Sequence, residues 1–155
     1  MSEHRLKAEY LFRLPRYIEW PAPAPDSTIK PDAPLIIGVV GSPEIEEDLL
    51  IIERDATTRH RKIVVRHLNQ PSDGLDCDMV YLADPDRRTA TSFLAPLRHS
   101  RTLTIGDGAD FLSLGGAIRL QRRDNEIRIQ IHLPNTTQAG FVVRSSLLRA
   151  ADVIR

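Results

Sequence analysis

The sequence predicts a single α/β domain: a mostly parallel sheet flanked by helices, with an antiparallel hairpin near the C-terminus. Three observations carry this. Residues 35–40, Leu35-Ile36-Ile37-Gly38-Val39-Val40, form a continuous apolar run, as expected for a strand covered on both faces. Strand and helix patterns then alternate, which favours parallel pairing through right-handed crossovers. Past residue 117 the rhythm changes to strict apolar–polar alternation, the mark of strands with one solvated face.

The elements follow in chain order. Leu6, Tyr10, Leu14, Tyr17 and Ile18 recur at steps of three and four, which predicts a docking helix over 3–20. Pro15 falls inside it and should kink it. Trp20, the single Trp of the chain, closes that helix, and Pro21, Pro23 and Pro25 forbid its continuation. Such a terminal aromatic reads as a plug that anchors the helix, in preference to a stacking platform for a ligand. A Pro-rich connector (21–34) leads into a sheet domain (35–155).

After the first strand, Gly41-Ser42-Pro43 turns the chain into a helix. Ser42 is the expected N-cap, Pro43 the first helical residue, and acids fill the first turn. Ile63-Val64-Val65 with Leu68 reads as a second strand and Met79-Val80-Tyr81-Leu82 as a third. Asp84-Pro85 opens a helix whose Ala90, Phe93, Leu94 and Leu97 share a face. Leu103-Thr104-Ile105 is a fourth strand. Residues 117–122 and 126–131 pair about an Asp124-Asn125 turn. Pro134 starts a short helical stretch ending at Gly140, and a last helix carries Leu147, Leu148, Ala151 and Ile154.

Composition excludes several function classes. At 155 residues the chain can bury a sizeable core. With 21 basic and 21 acidic residues the net charge is zero, so there is no electrostatic case for nucleic acid or an anionic membrane. The basic runs at 59–62 and Arg122-Arg123 are short and read as solvated edges. No apolar run approaches the ~20 residues that span a bilayer, so direct membrane insertion is not expected. One cysteine, Cys77, permits no internal disulfide.

Chemical motifs are sparse. The turn after the first strand lacks G-x-G-x-x-G, and Glu44, Glu46, Glu47 and Asp48 would repel a phosphate there. Val40-Gly41-Ser42 supplies no phosphorylatable Asp. The five histidines (His4, His60, His67, His99 and His132) form no H-x-x-x-H or H-E-x-x-H pair for zinc, and no G-x-S-x-G elbow exists. Asp76 and Asp78 flank Cys77 and should raise its thiol pKa. These missing patterns argue against an enzyme and imply no cofactor and no metal.

The order of segments resembles the YfiR-like (HmsC-like) family. The resemblance rests on Lys7-Ala8-Glu9-Tyr10-Leu11-Phe12, Tyr17-Ile18-Glu19-Trp20-Pro21, the strand from Ile36 to Gly41, and Asp76-Cys77-Asp78-Met79-Val80-Tyr81-Leu82. It continues through Leu103-Thr104-Ile105-Gly106-Asp107, Phe111, Gly115-Gly116-Ala117-Ile118 and the tail from Val143 to Ala151. It implies a small, non-catalytic regulatory protein of the periplasm, its export signal removed. The implied partner is an inner-membrane signalling protein, a diguanylate cyclase or a sensor kinase, bound through its sensor region; a homodimer is also compatible. The disulfide that many members form from the cysteine matching Cys77 has no second cysteine here. The expected partner surface comprises Phe141, Arg119 and Arg88. The alternative reading is a small-molecule-binding module using a cleft at the C-terminal strand ends, near Gly41, Ser42, Asp84 and Asp107.

Overall fold

Ser2 begins the first helix: its hydroxyl accepts the Arg5 N–H, one of the amide groups that a helix start leaves unpaired. This helix, α1 (Glu3–Arg13), buries Lys7, Ala8, Leu11 and Phe12. It stops short of the expected 3–20 because Pro15 cannot donate to the helical ladder, and Leu14–Tyr17 tighten into a 3-10 turn. The chain then becomes extended at Ile18–Glu19, strand β1. The change of period corrects the expected buried face. Leu14 and Ile18 still reach the core, but Tyr17 faces out at 37% exposure, and Leu6 and Tyr10 sit at the core margin. Trp20 consequently follows a strand instead of closing a helix.

The computed structural model describes residues 2–23, 33–56 and 61–155. Residues 24–32 of the expected connector, Pro25 among them, and residues 59–60 of the basic run lie outside the described residues.

The remaining elements are β2 (Leu35–Val40), α2 (Pro43–Asp55), β3 (Ile63–His67), β4 (Met79–Leu82), α3 (Arg87–Leu94), β5 (Leu103–Gly106), β6 (Ile118–Arg123), β7 (Glu126–His132), α4 (Leu133–Thr137), β8 (Val142–Val143), α5 (Ser145–Ala150) and β9 (Asp152–Ile154). Seven strands form one sheet in the order β3-β2-β4-β5-β6-β7-β9. All neighbours are parallel except the β6–β7 hairpin. At its turn Asp124 adopts a φ of 56°, a left-handed conformation that short polar side chains tolerate. The expected last helix is corrected at its end. It stops at Ala150, and Asp152–Ile154 instead pair with Gln130–His132 as an edge strand. The β-branched Val153 and Ile154 suit a pleated edge, and Arg128 holds Asp152 at 2.8 Å.

Side-chain alternation divides the core between the two sheet faces. Ile37, Val39, Met79, Ile105 and Ile118 meet α1 and α2 through Ala8, Leu11, Ile45 and Leu49. On the other face Val40, Val80 and Leu82 meet Phe93, Leu94 and Leu97. Phe111 joins this second cluster, seated between Gly106 and Gly116, where a Cβ at either position would overlap its ring.

A separate two-stranded ribbon, β1 with β8, pairs Ile18 with Val143. It brings Trp20 edge-on to Phe141, with ring centroids 5.9 Å apart and planes at 79°, a favoured aromatic geometry. The indole N–H donates to the Asp78 carbonyl at 3.1 Å, which ties the ribbon to the start of β4. The ring is partly buried, so Trp20→Ala is expected to cost about 3 kcal/mol, the low end for a large aromatic. At this chain length that lowers the melting temperature by roughly 6–12 °C. A thermal melt displaced by less than about 2 °C would show that the ring anchors nothing.

Candidate functional site

In an open parallel sheet, ligands sit beyond the C-terminal strand ends. Gly41 and Ser42 follow β2, Asp84 follows β4 and Asp107 follows β5, so all four expected cleft residues lie at that edge. Of these, the Ser42 and Asp107 side chains are already engaged. Gly41 makes the turn with a φ of 84°. Ser42 is buried, and its hydroxyl accepts the Ile45 N–H as the cap of α2. The Asp84 N–H donates to Asp107 Oδ1. Asp107 Oδ2 accepts from the Tyr81 hydroxyl at 2.7 Å and from Lys7 Nζ at 2.8 Å.

Lys7 comes from α1, a hundred residues away in sequence, and its side chain is only 7% exposed. Its ammonium also donates to Glu3 Oε2 at 2.7 Å, and Glu3 in turn accepts from Arg122 at 3.1 Å. The first helix therefore lays a cation across the end of β5. Sequence reading missed both Lys7 and Tyr81 as site residues. The available signal was the Glu3–Lys7 spacing of four, together with the position of Lys7 beside Ala8 and Leu11.

Burial by itself would depress the Lys7 pKa, but hydrogen bonds to Asp107 and Glu3 outweigh it and raise the pKa above the ordinary 10.5. Burial, reinforced by the Asp107 charge and hydrogen bond, drives the Tyr81 phenol far above its usual range, so it remains a proton donor. Hydrogen bonds from Lys7 and then Arg122 hold Glu3 below its ordinary 4.5. The arrangement binds a buried carboxylate with three donors and leaves no group poised as nucleophile or base.

Cys77 is also inert. Burial is the main cause that pushes its thiol up to about 11; Asp76, Asp78 and Asp73 add to the shift, and Arg66 opposes it. The sequence had pointed to the acids, whereas desolvation is the larger effect. Among the described residues no group of three His, Cys, Asp or Glu is placed to hold a metal ion.

The expected partner residues separate. Phe141 is buried at 3% exposure and packs against Trp20, which leaves little of its ring to a partner protein. Arg119 is half-buried on β6, donating to Gln130 Oε1 at 3.0 Å, while its Nε is buried without a partner. Arg88 is exposed on α3. Apolar surface that sequence reading did not anticipate lies on the ribbon, where Val142 is 54% exposed in β8 and Tyr17 immediately precedes β1.

Two outcomes follow from this geometry. Lys7→Met strands the Asp107 carboxylate in a buried position and is expected to cost about 3 kcal/mol in urea unfolding at neutral pH, much of it recovered in Lys7→Met/Asp107→Asn. A loss under about 1 kcal/mol would mean the ion pair is incidental. Because the Lys7 pKa is raised on folding, its contribution is complete below pH 10.5 and fades as pH climbs through the higher folded value. The Lys7→Met variant should therefore show a flatter alkaline limb in a pH series of melts. For Cys77, iodoacetamide at neutral pH should label the denatured protein quickly and the native protein slowly; equal rates would contradict its burial.

The fold is shared with a solved structure, a conserved domain protein from Vibrio cholerae O1 biovar eltor, at a TM-score of 0.62 and 12% identity. The match takes in all of this chain and 61% of that one, so this chain spans under two thirds of that protein's length. No curated protein matches it significantly. Residues 4–152 match the model of the YfiR/HmsC-like family, known as periplasmic regulators, and the chain accordingly belongs to that family.

Proposed function

We propose that this protein is a non-catalytic periplasmic regulator that binds the sensor region of an inner-membrane signalling protein, a diguanylate cyclase or a sensor kinase, and restrains it. The observation that carries this reading is the family match, which runs from α1 into β9 and so takes in nearly every element of the fold. The chain acts in this reading as one functional unit over 1–155.

The strand-end geometry supports binding over catalysis. The place where an open α/β sheet holds a substrate is filled by Lys7, Tyr81 and Asp107, which satisfy one another. This weighs against a ligand at Gly41, Ser42, Asp84 and Asp107. Among the described residues no helix is long and apolar enough to cross a membrane. A neutral protein gains little from long-range steering and depends on a shape-complementary patch with a few buried anchors. Val142 and Tyr17 on the ribbon, with Arg88 on α3 and Arg119 on β6, are the residues proposed to supply them.

Deleting the gene is expected to raise cellular cyclic-di-GMP and surface attachment when the partner is a cyclase, and an exported copy should reverse both. Val142→Glu, exported, should fail to reverse them while melting within about 2 °C of the parent, since an exposed side chain contributes little to stability. Unchanged cyclic-di-GMP and unchanged sensor-kinase output after deletion would reject the regulatory reading, as would full function from a copy confined to the cytoplasm.

A further inference from the structure

A cleft of about 310 Å³ is bordered by Leu94, Leu97 and Leu112 of the second core cluster and shares no residue with the Lys7–Asp107 network. Its walls come from the 3-10 turn after α3, the loop before β6, and α4. Arg98, His99 and His132 line it, and no carboxylate does. In a chain with equal numbers of acids and bases, a cleft holding only cationic and neutral groups is a local departure from balance.

Two donors in it are unspent, on Arg98 and His132. Arg98 has no hydrogen-bond or ion-pair partner among the described residues, and it lies over Gly115, where a Cβ would sit 3.8 Å from its Nε and Nη2. Gly115 has a φ of 113°, a backbone conformation that glycine alone adopts readily. His132 Nδ1 accepts the Asn135 N–H at 3.1 Å, which places the proton of the neutral imidazole on Nε2 and makes that nitrogen a donor with no partner among the described residues. The wall is rigid, because the Asn135 amide donates to the Leu112 and Gly116 carbonyls at 3.2 and 2.9 Å. Leu97, Leu112 and Phe141 supply apolar surface beside these donors. The volume lies at the lower end of small-molecule sites.

We propose that this cleft binds a small organic carboxylate with a compact apolar body, its carboxylate on Arg98 and His132 and its body against Leu97, Leu112 and Phe141. A planar guanidinium matches a carboxylate through paired donors, and a neutral amide of the same shape forfeits the charge-assisted part of that contact. The site stands on its own geometry and does not depend on the regulatory reading.

Phe141 joins the cleft to the one Trp of the chain, since its ring meets Trp20 edge-on. The test is a titration of the purified protein with saturated C6–C10 carboxylates, cyclohexanecarboxylate among them, and with the matching amides. Binding is read by Trp20 fluorescence and by the amide shifts of Ala117 and Asn135 in nitrogen-15 NMR. The acids are expected to bind in the millimolar range or tighter, with the amides at least about tenfold weaker, the loss typical of one hydrogen bond to a charged group. Arg98→Gln should weaken acid binding by a similar factor without shifting the melt, Arg98→Lys should retain part of it, and Gln138→Glu should weaken it by adding a negative charge to the wall. The proposal is overturned if no acid moves the Ala117 or Asn135 resonances up to about 10 mM. It is equally overturned if acids and amides bind alike, or if Arg98→Gln binds as the parent does.

Discussion

One buried charge pair sets how the first helix lies on the sheet. An ammonium with 7% exposure cannot remain on α1 unless a carboxylate meets it, and Asp107 at the end of β5 does so at 2.8 Å. The carboxylate is in turn fixed by the Tyr81 hydroxyl of β4 and the Asp84 N–H, so one strand side chain and one loop amide hold the group that meets α1. A salt bridge of this kind adds little net stability compared with a well-packed apolar substitute. Its effect is to penalise any other placement of α1, since sliding the helix by one turn would part Lys7 from Asp107 and leave each with only its remaining partners, Glu3 for the ammonium and Tyr81 with the Asp84 N–H for the carboxylate.

The same constraint bears on function. Parallel α/β sheets offer ligands the loops beyond their strand ends, and here α1 places its own lysine there. The surfaces proposed for function lie in two other places. One is the ribbon that carries Val142 and Tyr17, held to the sheet through the Trp20 contact with the Asp78 carbonyl. The other is the cleft lined by Arg98 and His132, one wall of which is held by the Asn135 amide that ties the loop before β6 to α4.

Much of the sheet was legible because burial on both faces leaves a local trace. The unbroken apolar run of β2, the Ser42 cap with Pro43 behind it, the face shared by Ala90, Phe93, Leu94 and Leu97, and the hairpin about Asp124 are short-range signals, and the structure realises each. The misreadings share a physical cause: each depends on a partner distant in sequence. Periodicity through Pro15 seemed to continue a helix because Leu14 and Ile18 are both buried, yet they reach the core by way of a 3-10 turn and a strand. Ile154 continued a helical spacing, but the open edge of β7 recruited it into a strand. Phe141 looked superfluous to the core until the ribbon brought Trp20 to it. Lys7 went unmarked as a site residue because a sequence does not show a carboxylate one hundred residues away.

A regulator without chemistry acts through a difference in affinity for two states of its partner. Moving a partner from mostly active to mostly inactive takes about 5.5 kcal/mol of preference, the free energy of a few well-buried anchors. The ribbon can supply apolar area of this kind, and its position beside Trp20 has a mechanical consequence. β1 and β8 are each two residues long; the Trp20–Phe141 contact braces them against each other, and the indole hydrogen bond to the Asp78 carbonyl ties them to the main sheet. Phe141 also lines the cleft. A carboxylate seated there would press on one side of the ring whose other contacts hold the ribbon. Occupancy of the cleft and the shape of the ribbon surface would then be coupled, and any ligand that favoured one ribbon geometry would alter partner affinity by the same factor by which the partner alters ligand affinity.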